Sequence, residues 1–239
     1  VTDTLMAEGI PPLWFLAPEG FFALPLSSRA EQITDRVSSF VRELYSRGDE
    51  SVWEPAVPYY AAIADMMGSA GLSYAALGLF STADEADDTD GSAERHEPSE
   101  GVAQCALTVG IVATDHAGQD TDVVAQGILA TLAADPYNDA VWLDLPCGPA
   151  VSSITLREYR LGPEVTASTE ETTLLTGQIQ VHIPFPTGPC TAVFTLHTAS
   201  MDHWTAIYRL MSAILQTVSF TDPAEEWAGE PATFASEQS

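Results

Sequence analysis

Apolar and polar positions change period along this chain, and each change marks an element. Residues 13–17 (LWFLA) and 20–25 read as a short hairpin turned by Pro18-Glu19-Gly20. A helix is expected from about Arg29, with Ser28 as N-cap and Glu31 three residues on completing a capping box. Ile33, Val37, Phe40, Val41 and Leu44 then recur at helical spacing until Arg47-Gly48 ends the run. Pro58 to Met67 predicts a second helix, with Tyr60, Ile63, Ala64 and Met67 on one side. Residues 72–82 and 102–114 read as long strands, buried on both faces or nearly so in the first case, and are expected to pair antiparallel. Thr121 caps a third expected helix, whose inner side carries Val124, Ile128 and Leu132.

The later half alternates with period two. Leu175, Ile179, Val181, Ile183 and Phe185 share one face, and Thr176, Gln178, Gln180 and His182 the other. Cys190, Ala192, Phe194 and Leu196 alternate in turn, with Pro186-Thr187-Gly188-Pro189 as a four-residue loop between the runs. That register pairs Phe185 with Cys190, Ile183 with Ala192, Val181 with Phe194 and Ile179 with Leu196, so inward residues meet inward ones. Val141, Leu143 and Leu145 are matched by Ala150, Ser152, Ile154 and Leu156 across a turn at Pro146-Cys147-Gly148-Pro149. Cys190 is thus a strand residue and Cys147 a turn residue, and both read as structural. Trp204, Ile207, Tyr208, Met211, Ile214, Leu215 and Val218 form one apolar stripe of a closing helix, with Ser200 as its cap. The pattern predicts an α+β fold: a mainly antiparallel sheet flanked by helices, an α/β/α sandwich, ending in a long amphipathic helix.

Composition changes this picture in three ways. The chain has 239 residues and is 46% hydrophobic, enough for a sizeable core. Residues 1–221 read as a single domain, interrupted by an acidic insertion at 84–100, and 222–239 as an acidic, disordered tail. The formal charge is −26, from 34 acidic and 8 basic residues with no lysine, which disfavours nucleic acid and anionic membrane as partners. A GC-rich coding bias accounts for the missing lysine. No run is long and apolar enough to span a bilayer, and the opening VTDTLMAEGIPPLW has no secretory pattern, so a cytoplasmic location is expected. Three cysteines do not make a disulfide framework.

Candidate chemistry is sparse. Asp88, Asp90, Gly91 and Glu97 match four positions of a calcium loop, but Ala86 stands at its first position and the flanks read as strands. His182, Cys190, His197 and His203 are the zinc candidates; alternation sends Cys190 to one face and His182 and His197 to the other. Cys147 with His116 or His203 is the thiol–imidazole pair that proximity alone can decide. Glu170-Glu171 and Glu225-Glu226 fall in expected loops, and no phosphate-binding or nucleotide fingerprint occurs. No catalytic, cofactor-binding or metal-binding residue is therefore assigned, and no cofactor is expected. Trp14, Phe15, Phe21, Phe22 and Tyr59-Tyr60 are dense aromatics expected in the core, while Trp227 sits alone in the acidic tail.

The entry "PPLWFLAPEGFFALPL", the hairpin "VHIPFPTGPCTAVFTLHTAS" and the close "WTAIYRLMSAILQTVSF" together resemble the PsbP/Mog-like α/β/α sandwich superfamily. There, too, a final helix often ends in an apolar-Ser-Phe phrase. The turn "LPCGPA" is similar to one in uncharacterised bacterial proteins. The resemblance implies a non-catalytic binding or assembly factor and carries over no functional residue. The leading expectation is a non-enzymatic, cytoplasmic protein-interaction or accessory domain, with a protein partner or self-association. The alternatives are a small-molecule binder or enzyme with a pocket between sheet and helices, and an acidic immunity or inhibitor protein that plugs a basic partner.

Overall fold

The computed structural model describes residues 2–5, 12–26, 30–81, 102–114, 118–163 and 171–222. The acidic segment 84–100, His116, Glu170 and the tail beyond Asp222 lie outside these residues. The fold is α+β. Seven antiparallel strands form one sheet, and four helices pack against it. The strands are β3 (Phe21–Ala23), β4 (Leu72–Ser81), β5 (Val102–Ala113), β6 (Asp139–Leu145), β7 (Gly148–Leu161), β8 (Thr172–Pro184) and β9 (Cys190–Thr198). Their spatial order is β3-β4-β5-β9-β8-β7-β6. A separate two-stranded ribbon joins β1 (Thr2–Leu5) to β2 (Leu13–Leu16).

One face of the sheet carries the larger core. The odd-numbered residues of β8 and the even-numbered residues of β7 and β9 meet there, with Ile179, Val181, Ile183, Ala192, Phe194 and Leu196 all buried. The ribbon places Leu13 and Phe15 over this core, and the Phe15 ring stands edge-on to Tyr74 and Phe194. Helix α5 (Trp204–Leu215), entered through a 3-10 turn at Met201–His203, adds Ile207, Met211, Ile214 and Leu215. Backbone bonds of 2.9 Å in both directions between Trp14 and Ser219 tie the chain after α5 to the ribbon.

The opposite face carries helices α1 (Ala30–Leu44) and α3 (Val57–Ser69), joined through the short α2 (Glu50–Trp53), over β3 and β4. Val37, Phe40, Val41 and Ala64 pack there on Leu24 and Ala75. Helix α4 (Thr121–Ala133) lies over β6, β7 and β8 and buries Val124 and Ala125.

Most sequence expectations hold at the level of elements. The β8–β9 register pairs Ile179 with Leu196, Val181 with Phe194 and Ile183 with Ala192, and Phe185 donates its N–H to the Cys190 carbonyl at 2.9 Å. Strands β4 and β5 are antiparallel neighbours.

Five details differ. Segments 13–16 and 21–23 do not form a hairpin: β2 pairs with β1 and β3 with β4, because Leu13 and Phe15 bury against the core face while the chain at Gly20 (φ +94°) crosses to the sheet edge. The β6–β7 turn is Pro146-Cys147 alone, with Leu145 opposite Gly148 and Leu143 opposite Ala150; a shift by an even number keeps the faces matched. Asp120, not Thr121, caps α4, its carboxylate accepting the Asp122 N–H at 3.0 Å. Ser200 does not cap a helix; its hydroxyl accepts the Gln104 N–H at 3.0 Å and stitches the α5 entry to β5. Helix α2 was not expected, although Asp49 caps it by accepting the Ser51 N–H at 3.0 Å.

Candidate functional site

The thiol candidates separate. Cys147 sits in the β6–β7 turn and Cys190 begins β9, and both pack at the margin of the larger core. Desolvation pushes the Cys147 thiol up, and it pushes the buried Cys105 thiol up to about 12, so burial suppresses the thiolate at both. His203 lies at the other end of the sheet. It precedes Trp204, which packs on Gly177, and Gly177 pairs with Leu156, eight residues beyond Gly148. At about 3.3 Å per residue that is on the order of 26 Å from the Cys147 turn. His116 lies outside the described residues.

The zinc candidates separate as alternation requires. His182 and His197 lie on the α4 face and Cys190 on the α5 face. His197 pairs with Gln178, so the two imidazoles are four positions apart along β8, on the order of 13 Å. Among the described residues no group of three His, Cys, Asp or Glu side chains could hold a metal ion.

On the α4 face, a polar row crosses the middle of the sheet. Gln180 donates from Nε2 to Thr195 Oγ1 at 3.3 Å, and its Oε1 lies 3.2 Å from His182 Nε2. Burial holds the His182 pKa below the usual imidazole value. Thr191 on the same face is 3% exposed, and its hydroxyl has no hydrogen-bond partner. A crevice of about 530 Å³ opens where α1 crosses β3 and β4, lined by Leu24, Phe40 and Tyr74 with Asp35, Arg36 and Glu43 at its mouth.

On the α5 face, the uncovered region carries several apolar side chains among the charged Asp139, Glu158 and Arg160. Leu156 is 56% exposed, Leu175 43%, Val141 45% and Tyr208 45%. Register puts Leu156, Ile154, Val141 and Leu175 on the face that α5 occupies. A cleft of about 140 Å³ between Tyr208, Met211, Leu143 and Ser152 continues this strip under the helix. Sequence reasoning placed Leu156, Leu175 and Tyr208 inward, and the structure leaves all three largely in solvent. The reason is width: seven strands about 4.8 Å apart span roughly 29 Å, whereas a helix covers about 10 Å. The β1–β2 ribbon covers the β4–β5–β9 side and α5 covers β8 and the first half of β7, where Ala150 and Ser152 are buried; on this face nothing among the described residues covers Val141 or β7 from Leu156 onward.

The dense aromatics divide likewise. Phe15 is core, Phe21 and Phe22 pack against the two cores, Tyr60 packs on Phe40, and Tyr59 is exposed. The Trp14 indole N–H is enclosed without a partner. Trp227 lies outside the described residues. Among the described residues no helix is long and apolar enough to cross a membrane. No family model, curated protein or solved structure matches the chain.

Proposed function

We propose that this protein is a non-enzymatic interaction domain, an accessory subunit that docks a protein partner on the bare strip of the α5 face. The carrying observation is the exposed row Leu156, Leu175, Val141 and Tyr208 beside an otherwise closed core. Solvated charge elsewhere keeps the chain dispersed, so an apolar margin left on such a surface points to a partner. The suppressed thiols and the dispersed imidazoles support a binding role over a nucleophilic one. Helices on both faces of the sheet support the finer reading of an α/β/α sandwich of PsbP/Mog-like type.

The test is cross-linking in source cells with the wild type and with Leu156→Glu/Leu175→Glu. Both sites are largely exposed, so stability changes by no more than about 0.5 kcal/mol per site. A partner cross-linked by the wild type and lost from the variant is expected. The same products from both proteins would overturn the reading.

The crevice beside α1 favours a second reading, a small-molecule site, because its volume of about 530 Å³ lies in the range of ligand pockets. Arg36→Ala would then abolish a ligand-induced rise in melting temperature seen with the wild type in a screen of small carboxylic acids.

A further inference from the structure

The two ends of the sheet are guarded differently. Strand β3 at one edge has three residues and lies between Pro18 and Pro25, so it offers little backbone to an incoming chain. Strand β6 at the other edge has seven residues in unbroken register with β7, and it contains no proline, glycine or lysine and no bulge. Among the described residues no strand pairs with its outer side. Proline, lysine, a bulge and shortness are devices by which sheet proteins blunt an edge; β6 has none of these and carries only the charges of Asp139 and Asp144.

Side chains on β6 extend the strip described above. Val141, Leu143 and Leu145 alternate onto the α5 face, opposite Ser152, Ala150 and Gly148 of β7, with Ile154 and Leu156 continuing that face beyond Val141. A strand added outside β6 would continue that apolar surface with its own alternate residues. Asp144 is exposed on the face of β6 opposite the strip, and Asp139 is exposed where the strand begins on the strip's own face, on a chain of formal charge −26. A second copy would bring two strongly acidic bodies together, whereas a basic segment is attracted from a distance.

We propose that β6 is a strand-acceptor edge for an extended, basic segment of the partner, apolar on the side that faces the strip and arginine- or lysine-bearing on the other. This rests on the interaction-domain reading and specifies its partner. Main-chain hydrogen bonds to β6 supply affinity, the strip supplies register, and Asp144, on the face opposite the strip, selects charge.

The experiment uses the full chain and three synthetic heptapeptides: alternating Arg-Val, alternating Glu-Val, and the Arg-Val peptide with its central valine replaced by proline. Binding is followed by fluorescence polarisation and by amide hydrogen exchange of β6. The Arg-Val peptide is expected to slow exchange at β6 and to bind more weakly as salt rises. The Glu-Val and prolyl peptides, and the Asp144→Arg variant, are expected to lose binding by about tenfold or more. Equal binding of the prolyl peptide, or unchanged exchange at β6, would overturn strand addition. Concentration-dependent protection of β6 without peptide would overturn it in favour of a second copy. A partner lost on Leu156→Glu/Leu175→Glu but retained by Asp144→Arg would overturn the edge proposal and leave the interaction-domain reading standing.

Discussion

The two faces of the sheet solve the same problem with opposite chemistry. Each has a region that no helix fully covers. On the α4 face the middle of the sheet carries glutamine, threonine and histidine, which water or one another can satisfy, and its exposed apolar side chains Val112 and Tyr159 stand apart on β5 and β7. On the α5 face the open ground at β6 and β7 carries Val141, Leu156 and Leu175, which water does not satisfy. The polar row is satisfied within its own face, whereas Val141, Leu156 and Leu175 form the strip that the proposed partner would cover. Exposure alone does not distinguish them; the chemistry of what is exposed does.

The largest effect that sharpens this comparison is expected where the α5 face is covered. Phe194→Ala, beneath Phe15, should cost about 3–5 kcal/mol in denaturant unfolding, while Leu156→Ala on the same face should cost far less. Comparable losses at the two positions would mean that the strip is buried in the working protein and would break the contrast. Next comes the boundary between covered and bare sheet. A Cβ at Gly177 would overlap the Trp204 ring, so Gly177→Ala should cost about 1–3 kcal/mol and loosen the start of α5, read as increased tryptophan exposure to acrylamide quenching.

The smallest effect concerns the polar row. The folded pKa of His182 lies below its unfolded value, so the unfolded chain binds more protons between the two. Stability from this group is complete above the unfolded value, near 6.5, and is lost as pH falls through the lower folded value. His182→Gln should therefore show a smaller drop in melting temperature between pH 7.5 and pH 5.5 than the wild type. An equal drop would place the imidazole in solvent and remove it from the row.

Much of the fold is legible in the residues. The β8–β9 register follows from alternation alone, because a slip by one would turn Ile179, Val181 and Ile183 to the polar side. Helices α1, α3 and α4 announce themselves by spacing, and the α2 start is readable in hindsight from Asp49 before Glu50-Ser51. The β2–β3 segment misleads because two short apolar runs about a Pro-Glu-Gly turn satisfy hairpin chemistry locally. Long-range burial of Phe15 against Tyr74 and Phe194 outweighs that preference. The candidate site was not legible at all. Leu156, Leu175 and Tyr208 obey the same periodicity as their buried neighbours, and periodicity reports which face a residue takes, not whether anything lies on that face.

By itself, then, the sequence determined period, face, charge and the placing of Cys190 on the face opposite His182 and His197, since each depends on bonds between near neighbours and on the geometry of strand and helix. Tertiary structure alone decided the strand order, the exposed margin and the β6 edge, which no described strand pairs. Those depend on how wide a sheet becomes relative to the one helix and one ribbon available to cover it, a quantity that no local pattern encodes.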